Sequence, residues 1–405
     1  MVDLVKISLV FLVIIILLYK KVRLWISLLA ATLILGLLFR LSLTRIGMNL
    51  LTATLETRTL LLLGALIAIL FFSYLLKETG RMEEILEGFM VLFKDLRIVV
   101  AILPAVIGLM PILGGALVSA PMVVEGSDKL GLSPERRTFV NYWFRHVWEF
   151  ILPTFPGLVL FATLIGVPVR RFGWINLPFT LTAIFGGFLV GYQGISRSLE
   201  ETQYSASLSF LWRLLQNLFP LFLAIILVVV FDVELVIALG VSLLVMILLF
   251  RVGRQGLKNG FVKSLDIELL LTVAIIMGFK KVLESSQAIQ VVSQTLSSSG
   301  VPALVIVMGI PFLVGLMAGT PFAAIGIAFP ILIPLLQNDL RFLDYMTLAF
   351  VSGLSGHMLS PFHLCLVLTK EYFQADWKGI YRLTWIPVAL LLGVGLLKAT
   401  FFKIP

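Results

Sequence analysis

Long apolar runs without alternation recur near residues 4–19, 24–39, 58–77, 140–166, 176–192, 208–230, 233–250, 267–283, 344–369 and 382–402. Most have the length a helix needs to cross a bilayer, about 20 residues. A lipid-facing strand would alternate apolar and polar positions, which excludes a barrel. Hydrocarbon offers backbone groups no partner, so the runs predict an all-α polytopic membrane protein with about ten transmembrane helices. Two further stretches, 98–124 and 301–336, are too long for one span and too broken by Pro and Gly for a plain helix. Each reads as a re-entrant hairpin, tolerated only where its tip is buried in protein or lines a cavity. The tips are expected in "PILGGALVSAP" and "AGTPFAAIG".

An internal repeat is visible at a spacing of about 207 residues. "GLM" at Gly108 returns at Gly315, "PTFPGLVL" from Pro153 matches "PFHLCLVL" from Pro361, and "LKETGR" from Leu76 faces "LESSQA" from Leu283. The shared offset divides the chain into a first repeat, 1–200, and a second, 201–405, each with five spans and one hairpin. An odd number of crossings per repeat inserts the second upside down, which is an inverted-topology repeat.

Composition agrees: 60% of the 405 residues are hydrophobic and 13% charged, against about 25% charged in a soluble domain. The net charge of +9 is scattered over short loops and forms no nucleic-acid patch. Alternate loops differ in Lys and Arg, and the richer side, with Lys20, Arg136, Arg254 and Lys378, is expected to be cytoplasmic, placing both termini outside a cell membrane. The first run is followed by Lys20, Lys21 and Arg23 with no small-residue cleavage site, so it reads as a span and not a leader. The single cysteine, Cys365, excludes a disulfide framework.

The candidate chemistry lies in the spans that follow the hairpins. His146 sits in "NYWFRHVWEFILPTFP", and His357 and His363 sit in "SGHMLSPFHL", so all three histidines fall in matched segments. Pro153 and Pro361 are expected to interrupt these helices near the middle. A broken intramembrane helix opens carbonyls to a cation and a half-helix N-terminus to an anion. Asn141, Arg145 and Glu149 are spaced four apart and should share a helical face. Arg145 is the candidate cation for an anionic substrate; the plainer reading is an ion pair with Glu149 or a side chain snorkelling to the interface. His146 and His357 are read as substrate-binding, and His363 with Glu149 as ion-coupling, against the plainer reading of packed histidines.

Hydroxyls and turns complete the candidate list. Ser119, Thr320 and Ser360 are placed with substrate, and Thr154 and Ser355 with the coupling ion, Na⁺ or H⁺; such hydroxyls often bond only their own helix. Gly114, Gly115 and Gly319 either admit a ligand to the backbone or make the turn. The set reads as poor for a metal, with no Cys or carboxylate at suitable spacing in the same segment, and no metal or cofactor is expected. "GLSG" at Gly353 fits the G-x-S-G signature of rhomboid proteases, which makes an intramembrane serine hydrolase using Ser355 the alternative from another class, followed by a channel.

The paired hairpins and broken helices, with "LGGALVSAPM" in one half and "AGTPFAAIG" and "LSPFHLCLVLTKEYF" in the other, resemble the ion transporter superfamily. Within it the chain is similar to an uncharacterised group of prokaryotic membrane proteins distantly similar to gluconate permeases. The resemblance implies a non-enzymatic secondary transporter of a small organic anion, such as a carboxylate or sugar acid, and a homodimer. Dicarboxylate members carry Ser-Asn-Thr at the hairpin tips; this chain keeps Ser119 and Thr320 without the asparagine.

Overall fold

The computed structural model describes residues 2–110, 115–198, 208–286, 288 and 300–401. Gly114, part of "LESSQA" and the boundary expected between the repeats lie outside them. Among the described residues the elements are α1 (Val2–Tyr19), α2 (Leu24–Leu38), α3 (Leu43–Leu55), α4 (Thr57–Glu78), α5 (Arg81–Leu92), α6 (Leu96–Gly108), α7 (Gly115–Lys129), α8 (Pro134–Arg145), α9 (Pro156–Ile165), α10 (Val169–Ile175), α11 (Leu177–Gly191), α12 (Leu208–Val229), α13 (Leu235–Leu249), α14 (Arg254–Ser264), α15 (Ile267–Ser285), α16 (Ala303–Ala318), α17 (Pro321–Leu336), α18 (Phe342–Leu359), α19 (Leu364–Phe373) and α20 (Trp377–Phe401).

The chain is all-helical as read from the sequence, but many elements are shorter than a span. Four stretches are long and apolar enough to cross a membrane: Thr57–Glu78, Ser209–Val229, Phe342–Phe373 and Trp377–Phe401; the pair α9 and α10, bent by 109°, makes up to five. Both irregular stretches contain a pair of helices packed on each other, α6 with α7 and α16 with α17. The second turns in two residues, Gly319 at φ 66° and Thr320, whose hydroxyl accepts from the Ala323 N–H.

Helix starts follow local chemistry. Side-chain oxygens of Ser42, Asp95, Ser133, Glu234 and Asp266 accept first-turn N–H groups that have no partner inside the helix. Proline opens α8, α9, α11 and α17, where its missing N–H costs nothing.

Packing is reciprocal between the two parts of the chain. Helix α15 packs on α2 and α3, while α4 packs on α13 and α14; α19 packs on α7, while α9 packs on α17; α11 packs on α20. Two arginines make the same contact twice. Arg136 of α8 donates to the Gly191 and Gln193 carbonyls at the end of α11, and Arg341, at the start of α18, donates to the Ala399 and Thr400 carbonyls at the end of α20. Helix packing here depends on close contact, since lipid is as apolar as Leu. Phe161 of α9 stacks on Phe350 of α18 (4.5 Å) and meets Phe329 of α17 edge-on (5.1 Å), pairs worth about 0.5–1.5 kcal/mol each beyond their area.

Asp95 latches the start of α6. It bonds the Arg97 backbone and guanidinium and pairs with Arg197 at 3.2 Å, beside the Leu96 N–H bond to Ser198. The Arg97 hydrogen bonds hold its carboxyl below the usual carboxylate range. That contribution is therefore present above the unfolded value of about 3.9 and lost as pH falls through the lower folded value. Asp95→Ala is expected to cost about 0.5–2 kcal/mol in detergent-solubilised protein, the range for a lost N-cap. The wild-type advantage should vanish on acidification; a pH-independent difference between the two proteins would contradict this account.

Candidate functional site

The two helices that follow these helix pairs, α8 and α18, both end in a break near the expected prolines, but differently. Helix α18 stops at Leu359 and α19 resumes at Leu364; Pro361 lies between, with Ser360 accepting from the Phe362 N–H and the His363 N–H bonding the Ser360 carbonyl. In the first copy the break runs over residues 146–155 and opens at His146, seven residues before Pro153. Its backbone makes tight turns, with the Glu149 N–H bonding His146 and the Phe155 N–H bonding Leu152. Other elements take the freed carbonyls: Thr180 donates to Val147 (2.9 Å) and Asn176 to Phe150 (2.8 Å). Those two carbonyls are thus already partnered. The expected shared face of Asn141, Arg145 and Glu149 is corrected, because the helix ends at Arg145 and four-residue periodicity does not carry to Glu149.

Glycines bring each broken helix against its hairpin. A Cβ at Gly108 would overlap the Arg145 carbonyl, and one at Gly315 the Gly353 carbonyl, so the repeated "GLM" makes equivalent backbone contacts. Only a residue without a side chain allows that approach. Gly319 lies against the Phe362 and His363 backbone, which places the second tip in the second break.

All three histidines meet there. Ring centroids are 3.8 Å apart for His357–His363, 4.8 Å for His146–His363 and 6.1 Å for His146–His357, and all three residues are buried. Tyr142, fully buried, orders them: its hydroxyl donates to the Met358 carbonyl (2.9 Å) and is 2.8 Å from His363 Nδ1. The Tyr142 carbonyl is 2.6 Å from His146 Nδ1. Glu149 Oε1 stands 3.9 Å from His146 Nε2, and Glu149 Oε2 and His357 Nδ1 are buried without a hydrogen-bond partner.

Arg145 lies one residue before this cluster. Its guanidinium occupies the space above Gly115, where a Cβ would overlap it, and it is beside Cys365. Asn141 donates to the Ala116 carbonyl (3.0 Å) and to Thr369 (3.4 Å), tying α8 to α7 and α19. Arg145, His146, Glu149, His357 and His363 thus form one centre with Gly115 at its edge.

The hydroxyls behave differently. Ser119 bonds its own helix at Gly115 and Ala116, and Thr320 and Ser360 cap turns. Thr154 lines a cavity of about 10 Å³ with Ser73 and Leu109, room for roughly one water. Ser355 is fully buried and its Oγ has no hydrogen-bond partner, histidines included. A larger cavity, about 390 Å³, opens beside Arg58 and the Arg170–Asp232 pair and does not reach the histidines.

Sequence reasoning passed over Tyr142, one turn before His146, and treated Cys365 only as a lone thiol. Residues of two segments together bring possible ligand atoms close to one another. One ligand atom each from His146, Glu149 and His357 lie within 4.8 Å of one another, as do those of His146, His363 and Cys365.

Residues 4–400 match the model of a family described as a protein of unknown function, DUF401. In structure the chain is similar to the Alcanivorax borkumensis YdaH transporter, whose crystal structure is described as revealing an unusual topology. The TM-score is 0.64 at 12% identity, covering 96% of this chain and 99% of that one. No curated protein matches in sequence. At that identity the likeness is one of fold.

Proposed function

We propose that the chain, which belongs to the DUF401 family, is a multi-pass secondary transporter that moves a small organic anion by alternating access, coupled to H⁺ or Na⁺. The observation that carries this reading is the convergence of both broken helices on one buried centre of three histidines, Glu149 and Arg145. Polar and ionisable groups inside a membrane are costly and mark pathways. Broken helices at the interface of two repeats are where carriers of this kind bind substrate and ion. The fold likeness to a transporter lends support.

In this reading Arg145, beside the start of α7, meets the anion's charge and His146 and His357 hydrogen-bond it. Glu149 and His363 carry the coupling proton or border the coupling ion. The reciprocal packing and the paired Arg136 and Arg341 contacts support two repeats, five spans and a re-entrant hairpin each, inserted oppositely within the ion transporter superfamily architecture. Both termini then face outward, and the cargo is a small organic anion such as a carboxylate or sugar acid.

A thermal-stability screen of the purified protein against carboxylates and sugar acids tests this, at two pH values and with and without Na⁺. A ligand present at about 100 times its Kd should stabilise by about 2.7 kcal/mol. No shift with any anion of either class would count against an anion carrier.

A further inference from the structure

Three residues of the centre, His146, Glu149 and His357, each bring a ligand-type atom within 4.8 Å of those of the other two. The His146 Nδ1 lies 2.6 Å from the Tyr142 carbonyl, which can only accept, so Nδ1 carries the proton and Nε2 presents its lone pair. That lone pair faces the Glu149 carboxylate at 3.9 Å. The Glu149 Oε2 and His357 Nδ1 are buried and unpartnered, as are Asn141 Oδ1, Thr154 Oγ1 and Ser355 Oγ; of these residues, Glu149 and His357 are the ones that bring a ligand atom close to His146. Buried polar atoms without partners are costly, and converging acceptors are reconciled by a cation.

We propose, beyond the transporter reading, that His146, Glu149 and His357 bind one divalent first-row transition-metal ion of the zinc type, in which case the ion stands between these side chains and the anion and the proton-carrying role falls to His363. The donors suit it: imidazole nitrogens with a carboxylate oxygen favour zinc and its neighbours over calcium or magnesium, which take oxygen ligands. The ligand atoms lie within 4.8 Å of one another. A tetrahedral ion with bonds of about 2.0–2.1 Å holds its ligands about 3.4 Å apart, so modest side-chain rotation closes the set. A backbone carbonyl on the far nitrogen of His146 is the usual arrangement behind a metal-binding histidine, fixing tautomer and ring plane. Three protein ligands leave a coordination position open. The neighbouring set of His146, His363 and Cys365 is the weaker candidate, because the unpartnered atoms belong to Glu149 and His357.

Metal binding is read directly, apart from any flux. Full-length protein, freed of its affinity tag and stripped with a chelator in detergent, is titrated with Co²⁺ followed by visible absorption, then with Zn²⁺ in competition. Wild type should bind about one ion per chain, with the intense bands of a low-coordinate site that Zn²⁺ erases. Glu149→Gln and His357→Gln keep side-chain bulk, and each should weaken binding by at least about 10- to 100-fold, the range for disturbing even outer partners. Cys365→Ser should bind as wild type does. Size-exclusion and thermal unfolding profiles establish that each variant is folded. Absence of a saturable spectrum in wild type, undiminished binding in both substitutions, or loss of binding in Cys365→Ser alone would each overturn the assignment.

Discussion

Replacing His357 by alanine is expected to lower gradient-driven uptake of the transported anion into proteoliposomes by about 10- to 100-fold. The size follows from losing a hydrogen bond to a charged partner, about 1.5–3 kcal/mol, at about 1.4 kcal/mol per tenfold. His357 is chosen because its ring stacks on His363 at 3.8 Å, its Nδ1 has no protein partner, and Gly353 and Gly356 hold its helix against α16. Alanine also removes a buried ring and leaves a cavity, so His357→Gln, which keeps more of the bulk, is measured beside it; uptake should fall in both while size exclusion and thermal unfolding show each to be folded. Ser355→Ala should transport normally, since Ser355 joins none of these contacts. Wild-type uptake by the His357 variant would remove the histidine centre from the mechanism. Loss of uptake in Ser355→Ala, with labelling of Ser355 by a serine-reactive probe in wild type, would turn the reading toward hydrolysis.

Much of the fold was legible because lipid leaves few options. Apolar runs had to be helices, and Pro361 had to break the one that holds it. The two "GLM" segments were legible as a pair, and Gly108 and Gly315 make the same kind of close backbone approach. The histidines were identified as a set, although sequence could not show that they touch: His146 and His363 are 4.8 Å apart across two broken helices. Other features were hidden for physical reasons. The first break opens at His146 because Thr180 and Asn176, distant in sequence, take its carbonyls, and no local rule foresees partners from another helix. Ser119 donates to its own helix and Thr320 accepts from the Ala323 N–H, and each hydroxyl keeps a further bond to make. Glu149 was placed by helical periodicity on a helix that has already ended, and it reaches His146 through a turn instead.

Gly356→Ala is expected to be the most destabilising single-methyl change in the core. A Cβ there would overlap the Phe312 carbonyl and lie 2.8 Å from its carbon and 3.0 Å from the Leu316 nitrogen. Every one of those atoms is backbone, so no rotamer change relieves the clash; α16 and α18 must separate. Overpacking of this kind costs about 1–3 kcal/mol and sometimes more, and separation also disturbs the Gly315 contact with Gly353 on the same interface. Gly393 of α20 supplies the control, because a Cβ there meets nothing within 4 Å. Gly393→Ala should be neutral or stabilise by up to about 1 kcal/mol through helix propensity. Unfolding in mixed detergent separates the pair by sign. Equal stability of the two variants would mean that α16 and α18 are not held at backbone contact. Gly108→Ala should behave like Gly356→Ala, since its Cβ would overlap the Arg145 carbonyl. A shift of Arg145 there would also move its guanidinium off Gly115, so reduced anion affinity is expected alongside reduced stability.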